Sequence, residues 1–225
     1  MKIASLSDLQ KITIKFRDER DWTGWHTPEN MMLGLFCEAA ELAEHFKWPR
    51  DKKELDDYIG ANLPEIAEEI SDVLWWLLII AHEVGIEPGQ ALVDKLKLNL
   101  KKLKSSQKLE LDLPPETIEE CVALVQSFRH GHGFDIDSPK VAMLKMIEEL
   151  GELAEFFHPD QKRQPESAQI AEEWSDVLIC LCIIIDYLDL DMPHEFVKKS
   201  HKNGVKYPVE AQNWQTATER KSQGL

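Results

Sequence analysis

Four acidic side chains, set in two pairs, are the residues of this 225-residue chain best placed to do chemistry. Glu38 and Glu41 stand three apart in MMLGLFCEAAELAEHFKW, residues 31–48, and Glu44 continues the row. Glu69 and Asp72 stand three apart in EIAEEISDVLWWLLIIA, residues 65–81. Residues at this spacing share one face of an α-helix. The face of Glu69 and Asp72 continues into Trp76, Ile79 and Ile80, so the acids lie on a stripe that is core one turn later. Carboxylates aimed at a bundle interior need a neutralising partner. Two antiparallel helices carrying E-x-x-E and E-x-x-D bring four carboxylates together. An all-oxygen donor set suits a hard cation such as Mg²⁺, with Mn²⁺ as a substitute, rather than zinc. Two like charges about 4 Å apart repel by roughly 4 kcal/mol at an effective dielectric near 20. Clustered without a cation, four acids would rival the roughly 5–15 kcal/mol stability of a whole domain. Either the acids face water and are inert, or they converge and hold metal.

The second half of the chain favours the metal. Residues 169–185, QIAEEWSDVLICLCIII, overlay 65–81 at a shift of 104, and residues 143–157, MLKMIEELGELAEFF, overlay 32–46 at a shift of 111. Glu149, Glu152, Glu173 and Asp176 thereby fall on Glu38, Glu41, Glu69 and Asp72 and form a second candidate metal set. The chain reads as a tandem repeat with a first unit over 1–108, a second over 115–208 and a polar tail over 209–225. The basic end of each unit also recurs, Lys95, Asn99 and Lys102 overlaying Lys199, Asn203 and Lys206. A Lys and an Asn one turn apart can reach phosphate oxygens or a sugar hydroxyl. Trp22 and Trp48 lie in a break and at a helix end, where indole faces are free to stack on bases, and His26 sits nearby as a hydrogen-bonding group. The overlay sets Trp22 on Gly133, His26 on Asp137, Trp48 on Pro159 and Trp76 on Cys180. On that reading the second unit keeps the metal acids and loses the aromatic lining, which makes the first unit the active one.

The elements that must position these residues are helices. The pattern predicts them over 5–20, 28–46, 65–84 and 89–104, then 115–129, 139–157, 166–189 and 193–205, with hardly any strand signal. The class is all-α, each unit having four helices packed into a bundle. Residues 47–63 read as a charged connection with room for one short helix, and 105–115 as a linker. With 26 basic and 41 acidic residues the formal net charge is −15, which argues against a nucleic acid polymer or an anionic membrane as partner. Cys37, Cys121, Cys180 and Cys182 form no C-x-x-C pair and read as reduced thiols of a cytoplasmic protein. The longest apolar runs have nine residues, and Met1–Gln10 holds no signal-like run. No G-x-x-x-x-G-K-[ST] loop is present, so phosphate would have to be handled by metal and the basic helices.

The stretch FRDERDWTGWHTPENMMLGLFCEAAELAEHFKW, followed by EEISDVLWWL, resembles the all-α nucleoside triphosphate pyrophosphohydrolases, the MazG-like and dCTP pyrophosphatase group. The resemblance covers most of 8–103 and, more weakly, 115–208. It implies Mg²⁺ held by Glu38, Glu41, Glu69 and Asp72, with Glu41 and Glu38 catalytic. It implies a base pocket of Trp22, Trp48 and Trp76, and a basic helix represented by Lys95 and Asn99. Thr13 stands where mammalian-type members carry a His, and the R-Y-P ending of the family's last helix is matched only by Lys206-Tyr207-Pro208. The implied activity is hydrolysis of a (d)NTP to (d)NMP and pyrophosphate, dCTP being the first expectation. A dUTPase-like hydrolase of the same group and a non-catalytic helical scaffold are the alternatives. Family members are oligomers, so the chain is expected to be a dimer fused into one polypeptide, able to form a homo-oligomer of pseudo-dimers.

Overall fold

The computed structural model describes residues 5–105, 113–134, 138–159 and 166–209. Asp137, most of the linker, part of the shortened connection between the second unit's acidic helices, and the tail from residue 210 lie outside the described residues. The first half comprises α1 (Leu6–Asp18), a 3-10 turn (Thr23–Trp25), α2 (Pro28–Glu44), α3 (Lys52–Val84) and α4 (Pro88–Lys102). The second comprises α5 (Ile118–His132), α6 (Pro139–Glu155), α7 (Ser167–Leu188) and α8 (Met192–Lys206). All helices described are α or 3-10, so the fold is all-α as the periodicity predicts.

Local chemistry starts and stops these helices at matching places. Ser5 with Asp8, and Thr117 with Glu120, form capping boxes for α1 and α5. Thr27 and Ser138 cap α2 and α6, each followed by a proline suited to the first turn. Gly85 and Asp189 end α3 and α7 in the left-handed conformation. The short helix that the sequence allows within the charged connection is present. Its residues from Lys52 onward are helical and run into α3 across a kink at Asn62 (φ −126°, ψ 17°). Pro64 has no N–H to donate, and Asn62 Nδ2 donates to the Tyr58 carbonyl at 2.8 Å, which together account for the kink.

The apolar runs of α3 and α7 form the centre of the molecule. Leu74, Leu77, Leu78, Val177, Leu178 and Leu181 are fully buried. α3 packs against α1 and α2, α7 packs against α5 and α6 in the same way, and α3 and α7 pack on each other. Buried Trp174 donates its indole N–H to the Leu77 carbonyl at 2.9 Å, tying α7 to α3. Ser71 and Ser175 return their hydroxyls to the Ala67 and Ala171 carbonyls, both at 2.7 Å, so that neither leaves an unsatisfied polar group in the core. The last helix of each half crosses over: α4 packs on α7, and α8 packs on α3 and α1.

Candidate active site

α2 and α3 bring the first acidic set together. One carboxylate oxygen from each of Glu38, Glu41 and Glu69 lies within 4.8 Å of the others. Glu38 and Glu69 are partly buried, and Glu41 is exposed. Burial, then the neighbouring Asp72, Glu41 and Glu69, push the Glu38 carboxyl up to about 7. Burial likewise raises Glu69. Asp72 adjoins this trio but turns toward α8. Its Oδ2 lies 2.6 Å from Lys199 Nζ and its Oδ1 accepts from Asn203 Nδ2 at 3.4 Å. Burial raises Asp72 as well, against the pull of Lys199. Burial alone would lower Lys199, yet Asp72, Glu69 and Glu68 hold it above the usual ammonium range.

This geometry corrects one assignment. Lys95 and Asn99 do not serve the first acidic set. Lys95, only 4% exposed, is ion-paired with Asp176 in the other half, because α4 packs on α7. The residues that face the first set are Lys199, Asn203 and Lys206 from α8, together with Lys202, which pairs with Glu68. The same crossing explains why the Lys206-Tyr207-Pro208 ending occurs in the second half. Tyr207 packs edge-on against Trp22 with ring centroids 5.5 Å apart, and its carbonyl accepts from buried Arg20 Nε at 2.7 Å. The ending lies beside the first acidic set in space, although it stands in the second half of the sequence. The in-register Lys and Asn pairs carried this signal, but only the crossing assigns them to their sites.

A second correction concerns Trp22. Asp21 and Gly133 both adopt the left-handed conformation, with φ of 54° and 68°. The next amide in each case donates back into its helix, Trp22 to the Arg17 carbonyl at 3.1 Å and Phe134 to the Arg129 carbonyl at 3.0 Å. Thus α1 and α5 correspond at a shift one greater than α2 and α6 do, and Phe134, not Gly133, takes the place of Trp22. The second half keeps an aromatic ring there.

The remaining rings divide between two sides of the first set. Trp76 lies over Gly34, where a methyl group would sit 2.5 Å from the indole, and is tilted against His26 with centroids 5.2 Å apart. His26 Nδ1 is buried and has no hydrogen-bond partner among the described residues. Burial, then the Arg17 charge, lowers His26 to about 4, so its ring is neutral at pH 7. Thr13 is fully buried and donates its hydroxyl to the Gln10 carbonyl at 2.7 Å, so its hydroxyl proton is already engaged. Trp48 stands apart from Trp22. It is 78% exposed and lines a cleft of about 480 Å³ with Glu41, Glu44, His45, Tyr58 and Glu69. Trp75, by contrast, is core, stacked on Phe196.

The second acidic set is also assembled. Glu149, Glu152 and Glu173 offer oxygens within 4.8 Å of one another, and burial raises Glu173 and Asp176.

A model of the MazG-like family matches residues 36–112, the stretch that holds both acidic pairs on α2 and α3. Mouse dCTP pyrophosphatase 1 is 32% identical over 126 residues, which span 53% of this chain and 74% of that protein. The human protein of the same name is 30% identical over the same shares, and the bovine one 32% over 96 residues, 42% of this chain and 57% of that protein. No solved structure gives a significant match to the chain. The chain belongs to the MazG-like, dCTP pyrophosphatase family. Among the described residues no helix is long and apolar enough to cross a membrane.

Proposed function

We propose that the first acidic set is the active site of a Mg²⁺-dependent nucleoside triphosphate pyrophosphohydrolase that prefers a dCTP-type substrate. The observation that carries this reading is the convergence of Glu38, Glu41 and Glu69 with Glu38 pushed up to about 7. Such a cluster is under-neutralised, and its donors are all carboxylate oxygens, which fits a hard divalent ion. Glu38, Glu41 and Glu69 would hold the ion, with Asp72 completing the set. When bound, it would offset triphosphate charge and acidify a water.

The chain's own groups do the rest. Lys206 and Asn203 on α8 face the acids, positioned to meet phosphate oxygens. Exposed Glu41 borders the open cleft and can orient the attacking water. Water adds to the phosphorus, the bridging P–O bond breaks, and monophosphate and pyrophosphate leave. The half-buried Trp76 and Trp22 rings offer faces to a base, and the unpartnered Nδ1 of neutral His26 can meet a polar atom on the base edge. The alternation of the two halves supports the reading of a dimer fused into one chain, in which the second half lends α8 to the first site. The test is pyrophosphate release from a panel of dNTPs and NTPs with Mg²⁺. Fastest turnover of dCTP is expected. A preference for dUTP would overturn the base assignment alone, and no turnover of any nucleotide would overturn the enzyme reading.

A further inference from the structure

The two acidic sets are flanked by different pairs of residues. In the first, Gly34 on α2 lies under the indole of Trp76 on α3. The overlay puts Lys145 at the place of Gly34 and Cys180 at the place of Trp76. A small residue under a large one has become a long residue beside a small one. Cys180 is 4% exposed, and burial pushes its thiol up to about 12, so it is a neutral wall and no ligand. Lys145 uses its position to reach the acids. Its Nζ lies 3.0 Å from Glu149 Oε1 and 2.9 Å from Glu148 Oε2. Glu149 is the most buried acid of the set, its side chain 8% exposed, and it corresponds to Glu38. Lys95 pairs with Asp176, as Lys199 pairs with Asp72. Among the described residues the second set thus has one cation more paired with its carboxylates than the first has, Lys145 beside Lys95 where the first has Lys199. At Glu38 no ammonium from α2 occupies that place, because Gly34 has no side chain.

We infer that Lys145 is an internal cation that takes the place of a divalent ion at Glu149, so that the second acidic set, although assembled, is not loaded when the first is. The inference rests on the metal reading of the first set, and its test separates the two. A buried carboxylate is satisfied by one close opposite charge with hydrogen bonds, and a tethered ammonium supplies both without a binding step. A divalent ion entering there must displace that ammonium and meet its repulsion. The same exchange removes the indole that walls the first site, so one change of residues both supplies the charge and withdraws the ring.

The test counts Mn²⁺ bound to the full chain, by the loss of the free-ion electron paramagnetic resonance signal, at concentrations that saturate the unmodified protein. Bound Mn²⁺ is expected to disappear in Glu38→Gln/Glu69→Gln and to be unchanged in Glu152→Gln/Glu173→Gln. Lys145→Met is expected to bind additional Mn²⁺, with affinity at the second set raised about tenfold or more, and adding Glu173→Gln is expected to remove the gain. Lys145 is half exposed, so the methionine variant should keep its helical circular dichroism. Loss of Mn²⁺ from Glu152→Gln/Glu173→Gln would overturn the inference, as would a folded Lys145→Met variant that gains none. An unmodified protein that binds no Mn²⁺, beside a Lys145→Met variant that does, would overturn the metal reading of the first set and leave this inference standing.

Discussion

The first and second acidic sets share their carboxylates and their crossing lysine but differ in almost everything that surrounds them. Around the first, Phe16, Trp22, Trp75 and Tyr207 pack ring against ring. The matching region of the second has Phe128, Phe134, Ile179 and Leu103, and the smaller side chains leave a cavity of about 340 Å³. The acids of each half are tied into helices whose other faces form the common core, and Lys95 and Lys199 pin α4 and α8 across it. Of the rings, Trp75 belongs to that core, whereas Trp22 and Tyr207 lie at its edge and are only half-buried. Two acidic sets can therefore persist while their linings diverge, the first with its indoles and the unpartnered imidazole of His26, the second with smaller rings and the added ammonium of Lys145.

The largest effect that could break this contrast is on turnover. Glu41→Gln should lower kcat by about 10²–10⁴-fold, the range that a positioned general acid or base contributes, while Glu152→Gln, its counterpart, should leave kcat within about twofold. Pyrophosphate release under saturating nucleotide checks both, and equal losses would mean that both sets work. Next comes the crossing. Lys199→Met leaves Asp72 buried without its cation, which should cost about 3 kcal/mol of stability, and Lys95→Met should cost a similar amount through Asp176. Only Lys199→Met should also weaken substrate binding at the first set. Urea melts combined with KM values separate the shared structural loss from the one-sided functional one.

The sequence made most of the fold and the acids legible. Helix starts at Pro28 and Pro139, stops at Gly85 and Asp189, and the apolar runs of α3 and α7 all follow from local rules that act within one helical turn. Spacing alone put Glu38 beside Glu41 and Glu69 beside Asp72, because helical periodicity sets it. What spacing could not show was which half Lys95 and Lys199 serve, since that depends on how helices far apart in the chain cross. The Trp22 register slipped for a related reason. Asp21 and Gly133 share a left-handed backbone but no side-chain chemistry, so the turn that aligns Trp22 with Phe134 is visible in dihedral angles rather than in residue types. The short helix over 52–61 was legible as an option, but not that it runs on into the acidic helix across a kink, because a downstream proline reads as a break until the packing is seen.

A smaller effect sharpens the difference in lining. Gly34→Ala places a methyl 2.5 Å from the Trp76 ring, which must move, whereas Gly151→Ala on α6 meets nothing within 4 Å. The first should cost about 1–3 kcal/mol by overpacking and raise KM by displacing the indole. The second should stabilise by about 0.5–1 kcal/mol, the usual gain of Ala over Gly inside a helix. Thermal melts of both variants beside KM for the first give the comparison. If Gly34→Ala left KM unchanged, Trp76 would not be part of the base wall.

The smallest expected effect concerns the proton on His26. Its imidazole is lowered to about 4 by burial and by the Arg17 charge, opposed by Glu83 and Asp18. An unfolded chain releases the same proton near pH 6.5, as a free histidine does, at about 1.4 kcal/mol per unit of difference. Between those two values the unfolded chain binds a proton that the folded chain refuses. Stability therefore falls as pH is lowered from about 6.5 toward 4, and the contribution of this residue is flat above that window. Because the ring is only partly buried, the loss should be about 1–2 kcal/mol rather than the full difference. The buried carboxyl of Glu38 works in the opposite direction over an overlapping range, so the measurement has to be differential. The gap in unfolding free energy between the unmodified protein and His26→Gln, followed from pH 7.5 to pH 5, should shrink as the pH falls. A constant gap would mean that His26 titrates alike in the folded and unfolded chains, so that its ring would be partly cationic near pH 6.5 and would present a donor as well as an acceptor to the base.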